Sequence, residues 1–365
     1  MVEFDFEILS SLGLTPALAN RAVNLLVQEG CELQLLRVTE VHRETVRLQD
    51  GVVERSARPL PRLVRLMLEE GTALAVGDWV LAADDSYGEA WVHERVPPSS
   101  HIARRDGDGR RHPVVSNVDT ALLVMGLDND FNPRRLERYL ALVNGDAIVP
   151  VVVLTKRDVA APSSDALDLR LDALRGRIPA HIDVIAVNGT HPSAADALRC
   201  YLGRGQTLVL LGSSGAGKST LTNTLLGSAV QDTGEVREHD SRGKHTTTSR
   251  SLHRMPGGAC VIDTPGLRTL RPDVDAATLS ASFADVEALA GKCRFRDCKH
   301  ELEPDCAVRE SLDADRLRNY QKLLREARRD TLTALDRQKQ VAAWKVRGRA
   351  TKERMKLKRG ELESR

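Results

Sequence analysis

The segment Gly212-Ser213-Ser214-Gly215-Ala216-Gly217-Lys218-Ser219 fits the pattern G-x-x-x-x-G-K-S and lies between an apolar run, Thr207 to Leu211, and a stretch of helical character, Thr220 to Leu226. That context is what the pattern requires. A strand delivers the chain to the loop, the glycines let backbone N–H groups curl around phosphate oxygens, and the helix N-terminus adds its positive dipole. A second motif, Thr155-Lys156-Arg157-Asp158, matches [NT]-K-x-D and closes another apolar run, Ile148 to Leu154. Its Asp offers two acceptors to the N1–H and N2–H2 edge of guanine, a contact adenine cannot make, and its Lys stem covers the ring. The base-reading motif thus precedes the phosphate loop by more than fifty residues, the reverse of the usual order. A chain so arranged enters its nucleotide-binding sheet at a different strand, which defines a circularly permuted G domain.

The remaining site residues follow from this frame. Lys218 reaches the β and γ phosphates, Ser219 offers a hydroxyl to Mg2+, and Thr220 continues the helix that starts at the loop. Asp263-Thr264-Pro265-Gly266 follows the apolar strand Ala259 to Ile262, so Asp263 is expected to hold Mg2+ directly or through water and the Gly266 N–H to contact the γ-phosphate. The next residue is Leu267, where Ras-like GTPases carry a water-orienting Gln, so intrinsic hydrolysis is expected to be slow. Gly243-Lys244-His245-Thr246-Thr247-Thr248 reads as a switch loop in which Thr247, with Thr246 as second choice, completes the Mg2+ shell and His245 positions water. Val187-Asn188-Gly189, after the strand Ile182 to Ala186, stands where a second base-contacting loop is expected, through its backbone.

A different chemistry sits downstream. Cys293-x4-Cys298-x-His300-x5-Cys306 supplies three thiolates and an imidazole, a set suited to tetrahedral Zn2+. Four protein ligands leave no open position for water, which makes the site structural rather than catalytic. Arg294, Arg296, Lys299 and Arg309 surround it and suit a phosphate backbone.

Around these motifs the 365 residues divide into a helical lead-in at 1–30, a small β-barrel at 31–98 for which an OB-fold fits best, a polar linker from Ser99 to Pro113, an α/β P-loop GTPase domain at 114–272, a helical zinc-binding domain at 273–320, and a basic helical tail at 321–365. Charge separates the last part from the rest. Arg316 to Arg365 holds 17 Lys and Arg against 6 Asp and Glu, a net +11 in a chain whose total is +2, so an acidic body carries a basic tail suited to an anionic partner such as RNA. Met1 to Leu9 has three acids and no base, and no apolar run approaches a membrane span, so a cytoplasmic protein without membrane contact is expected. No heptad pattern suggests more than a monomer.

The permuted motif order, the barrel, Gly-Lys-His-Thr-Thr-Thr as the switch and the Cys/His knuckle together resemble the RsgA (YjeQ/EngC) family; Asn117-Val118-Asp119 and Leu136-Glu137-Arg138-Tyr139-Leu140 resemble it too. The resemblance covers roughly residues 31 to 320. It implies a GTPase using GTP/GDP, Mg2+ and one Zn2+, which binds the 30S ribosomal subunit and its 16S rRNA late in assembly, hydrolyses GTP when the subunit stimulates it, and is then released. Thr155 stands where the family more often has Asn, and Asn188 where it more often has Ser, which predicts altered guanine affinity with specificity kept by Asp158. The competing expectations are a metabolic P-loop kinase or ATPase and an RNA-binding module with a vestigial nucleotide site; the guanine motif opposes the first, intact Lys218, Ser219 and Asp263 the second.

Overall fold

The structure, a computed structural model, describes residues 4–29, 33–105, 111–144, 147–160, 164–228, 250–264, 271–272 and 276–330. Helices α1 (Phe6–Ser10) and α2 (Pro16–Glu29) lead into five strands, β1 (Gln34–Val41), β2 (Val46–Gln49), β3 (Glu54–Pro59), β4 (Trp79–Asp84) and β5 (Ala90–Arg95), with α3 (Pro61–Glu69) between β3 and β4. β1 pairs antiparallel with both β2 and β4, β2 with β3, β3 runs parallel to β5, and β4 pairs with β5. The circuit β1-β2-β3-β5-β4-β1 closes a five-stranded barrel with a helix between its third and fourth strands, the OB-fold arrangement. Alternation fills it: Leu36, Val38, Val46, Leu48, Val80, Ala82 and Val92 point inward, and Leu63 and Met67 of α3 join the same core.

Residues 99 to 113, expected as a linker, instead contribute strand β6 (His101–Arg105), which pairs with β7 (Arg111–Ser116) as a hairpin. The polar composition concealed it. The buried apolar side chains are Ile102, Ala103, Val114 and Val115, too few to announce a strand, although the Asp-Gly pairs between the two strands are a hairpin signal.

The central domain alternates strand and helix: β8 (Thr120–Gly126), α4 (Pro133–Val143), β9 (Val149–Thr155), α5 (Arg157–Ala160), α6 (Ser164–Arg175), β10 (Asp183–Ala186), α7 (Ser193–Ala197), β11 (Thr207–Gly212), α8 (Lys218–Leu226), β12 (Ser251–Arg254), β13 (Cys260–Asp263) and the short β14 (Arg271–Pro272). The sheet order is β10-β9-β8-β11-β13-β12, parallel except for β12. β11, which delivers the phosphate loop, lies between strands that precede it and strands that follow it in sequence. This is the permuted order, and it puts the topological switch point at the carboxyl end of β11. The strands are apolar on both faces because both are covered: Leu123, Val152, Leu154 and Val209 pack with Leu136 of α4 and Leu174 of α6, while Leu122, Val151, Val153 and Leu210 pack with Leu221 of α8 and Ala194 of α7.

Several contacts join barrel and central domain, two of them a strand pairing and a buried cation. Glu40 of β1 pairs with Ser251 of β12, so the two sheets run together as eleven strands. Arg37 of β1, fully buried, donates to the carbonyl oxygens of Leu12 and Asn117 and to Thr207 Oγ1, and its guanidinium lies 5.6 Å from the Trp79 ring. A buried cation tied to three segments fixes the barrel against the amino ends of β8 and β11.

The C-terminal helices α9 (Ala276–Ser282), α10 (Ala284–Ala290), α11 (Ala307–Ser311) and α12 (Ala314–Asp330) pack Leu279, Phe283, Val286, Val308, Leu317, Tyr320 and Leu323 against Ala141 of α4. Beside this core Glu137 of α4, 2% exposed, takes Arg316 at 2.7 Å and Arg177 at 3.0 Å, and Arg316 also binds both oxygens of Asp285. The chain between Asp263 and these helices is first stitched to the hairpin, β14 pairing with β6. No helix among the described residues is long and apolar enough to cross a membrane. Of the basic tail, only the part within α12 is described.

Candidate active site

Thr155, Asn188, Gly212 and Asp263 stand at, or two residues beyond, the carboxyl ends of β9, β10, β11 and β13, so neighbouring strands bring their motifs to one rim of the sheet. Gly212 closes β11 where a Cβ would lie 2.4 Å from the Val124 carbonyl oxygen. Ser213, Ser214, Gly215 and Ala216 turn the chain, and Gly217, at φ +88°, caps α8, which begins at Lys218 and carries Ser219 and Thr220 in its first turn. A left-handed cap of that kind needs glycine. Lys218 is buried, and its Nζ donates to the Ser213 carbonyl at 2.8 Å. Burial pushes its pKa down, and the Asp263 and Asp130 carboxylates pull it back up.

The base-reading motif is tied directly to this loop. Thr155 Oγ1 donates to the Ala216 carbonyl at 2.6 Å, so Thr at this position retains a hydrogen bond between the two halves of the site. Lys156, at φ +59°, turns the chain out of β9 and pairs through Nζ with Asp128 Oδ2 at 2.6 Å. Desolvation opposes ionisation of Asp128, but the Lys156 ammonium and the Asp130 amide outweigh it and hold the carboxyl below its usual range. Asp158 is exposed in the first turn of α5. Asn188 Oδ1 accepts from the Thr190 N–H and hydroxyl, folding the loop after β10, while Thr224 of α8 donates to the Gly189 carbonyl at 2.6 Å. The loop after β10, expected to border the base, is thereby anchored to the phosphate-loop helix.

Asp263 closes β13 and is 1% exposed. Burial pushes its pKa up, while Lys218, the Thr264 amide and the Ser219 hydroxyl favour the ionised form without closing a hydrogen bond of ordinary geometry: neither carboxylate oxygen has such a partner among the described residues. A buried carboxylate with orphaned oxygens beside a serine hydroxyl fits a hard cation such as Mg2+. His245, Thr246, Thr247, Gly266 and Leu267 lie outside the described residues.

The Cys/His cluster forms at the turn between α10 and α11. The donor atoms of Cys293, Cys298, His300 and Cys306 all lie within 4.8 Å of one another. Cys293 and Cys306 sulfurs are 3.9 Å apart, and His300 Nδ1 is 3.7 Å from the first and 3.4 Å from the second. A tetrahedral zinc with bonds of about 2.3 Å to sulfur and about 2.0 Å to nitrogen gives edges of roughly 3.8 and 3.5 Å, which the Cys293, Cys306 and His300 donors match. His300 and Asp305 adopt positive φ, at 58° and 55°, to turn the ligands inward, and Gln321 of α12 donates to the His300 carbonyl at 2.7 Å.

Sequence reasoning passed over Asp128 and Asp130. Their place at the carboxyl end of a strand adjoining the phosphate-loop strand was the available signal, hidden because the sheet order does not follow the chain order.

Comparison with known proteins adds the following. A family model described as RsgA GTPase matches residues 95–272. The chain is 46% identical over 295 residues to the small ribosomal subunit biogenesis GTPase RsgA of Xanthomonas oryzae pv. oryzae (strain MAFF 311018), covering 79% of each chain. It is 46% identical over 298 residues to the protein of that name from Xanthomonas axonopodis pv. citri (strain 306), covering 80% of each. Among solved structures, YjeQ from Thermotoga maritima matches with a TM-score of 0.57 at 22% identity, over 81% of this chain and 98% of that one. YloQ, described as a circularly permuted GTPase, matches with a TM-score of 0.54 at 22% identity, over 82% and 97%. These two likenesses bear on fold, and they agree with the permuted strand order.

Proposed function

The chain belongs to the RsgA family of GTPases, and on that premise we propose the cycle by which it acts in small ribosomal subunit biogenesis: it binds GTP with Mg2+, engages the 30S subunit through its 16S rRNA, hydrolyses GTP when the subunit stimulates it, and is released with GDP. The observation that carries this reading is the convergence of the base-reading, phosphate and Asp263 motifs on one rim, tied by the Thr155 to Ala216 hydrogen bond, with the buried Asp263 carboxylate left without a hydrogen-bond partner among the described residues. Family membership sets aside the metabolic kinase or ATPase.

In this cycle Gly212 to Gly217 present backbone N–H groups to the phosphates, Lys218 leaves the Ser213 carbonyl for the β and γ oxygens, and Asp158 reads guanine while the backbone at Asn188 borders the base. Ser219, Thr247 and Asp263 would hold Mg2+, which neutralises charge developing on the transferred phosphoryl group. The Gly266 N–H contacts the γ-phosphate, Thr247, with Thr246 as second choice, completes the Mg2+ shell, and His245 positions the attacking water. Leu267 cannot orient that water, so the isolated protein turns over slowly. Cys293, Cys298, His300 and Cys306 would hold one structural Zn2+. The protein works as a cytoplasmic monomer without membrane contact.

Co-sedimentation tests the partner. With a non-hydrolysable GTP analogue the protein should pellet with purified 30S subunits and not with 50S, and GDP should weaken the association. Equal pelleting with 50S, or no dependence on nucleotide, refutes the cycle.

A further inference from the structure

The loop between β8 and α4, residues 127 to 132, touches both halves of the nucleotide site although no motif gives it a part. Asp128 holds the Lys156 ammonium at 2.6 Å. Asp130 accepts the Ser213 hydroxyl, at 2.6 Å on one oxygen and 2.7 Å on the other, and pairs with Arg135 from the first turn of α4. The loop is itself braced. The Leu127 N–H donates to the Thr155 carbonyl at 3.0 Å and the Gly126 N–H to Asp130 at 3.3 Å; Arg170 donates to the Leu127 carbonyl and lies 5.5 Å from the Phe131 ring; Asn132 caps α4 through the Arg135 N–H.

We propose that Asp128 and Asp130 are positioning residues of the nucleotide site: Asp130 presets the phosphate loop through Ser213, and Asp128 presets the Lys156 stem where the base will lie. This rests on the nucleotide reading given above. Ser213 carries the first half of the argument, because its hydroxyl goes to Asp130 while its carbonyl takes Lys218 Nζ at 2.8 Å. One residue therefore fixes both the loop and the cation that must find the phosphates. A carboxylate facing an anion site would repel the ligand if left bare; here Arg135 and the Ser213 hydroxyl engage it, so it orients the loop. Lys156 carries the second half. Its backbone is in the left-handed region, uncommon for lysine, and Asp128 is the partner that holds its long side chain in one direction. Lys156 and Asp128 are both about 30% exposed, and pairs of that kind add little to folding stability, so the effect belongs in ligand affinity rather than in melting.

The test is titration of the full chain with a fluorescent GDP analogue, alongside GTP turnover and thermal melting. Asp130→Ala and Ser213→Ala should each weaken GDP about tenfold, and the double variant should lose no more than the larger single effect, because both remove one interaction. Asp128→Ala should weaken GDP comparably and Asp128→Glu should restore most of it. In turnover the loss should appear in KM more than in kcat, with the melting temperature held. Unchanged affinity, additive losses, or losses that track a lowered melting temperature would overturn the proposal. Failure of the parent chain to bind GDP would instead defeat the nucleotide reading itself.

Discussion

At the scale of single residues, the site depends on a few atoms whose removal has separable effects. Asp158→Asn replaces one acceptor by a donor against the guanine N2–H2 edge, so GTP affinity should fall by at least tenfold while xanthosine triphosphate gains; competition titrations read both. Thr155→Ala deletes the hydrogen bond to Ala216 and should cost about 1 kcal/mol, seen as roughly fivefold weaker GDP binding, with Thr155→Asn tolerated. Asp263 gives a pH signature. Its pKa is raised by burial, and Mg2+ needs the ionised form, so protons compete with the ion as pH falls through that raised value. The Mg2+-dependent part of nucleotide affinity should therefore weaken on acidification at a higher pH than an ordinary carboxylate would require, while Mg2+-free GDP binding holds, and equal losses in both titrations would count against the assignment.

At the scale of elements, α4 carries two loads. Its leading loop meets the nucleotide site, and its body docks the C-terminal helices through Glu137 and Ala141. Glu137→Ala removes an acceptor shared by Arg177 and Arg316, which keep Asp315 and Asp285 as partners, and should destabilise the chain by about 2 kcal/mol, with proteolysis freeing the C-terminal helices before the rest. The Cys/His knuckle, proposed to hold zinc, bears on the same unit from the other side. A chelator, or Cys306→Ala, should loosen the packing of α9 to α12 and lower the helical signal by circular dichroism, with bound zinc falling from about one per chain. The elements differ in how far the sequence announces them. The P-loop, the β9 motif and the Cys/His knuckle were legible because each spacing is short and local. The hairpin β6–β7 and strand β12 were not: Ser251–Arg254 offers one fully apolar side chain and gains its place from pairing with β13 and β1. Asp130 escaped for a related reason, since Ser213 lies 83 residues away and only the sheet order makes them neighbours.

At the scale of the whole molecule, the permutation changes which parts adjoin the nucleotide. After Asp263 the chain is first held by β14 against β6, and the Cys/His domain then rests on α4. At the β12 edge of the central sheet, the barrel pairs with the strand that leaves the expected switch loop. Both flanking domains thus contact elements next to the nucleotide rim, an arrangement in which a bound subunit and the nucleotide can bias one another. The most direct measurement is GTP turnover by the full chain with and without purified 30S subunits, with 50S subunits and ATP as controls. A slow basal rate that rises many-fold with 30S alone, and only for GTP, is the predicted result; a high basal rate, a preference for ATP, or indifference to the subunit would contradict it.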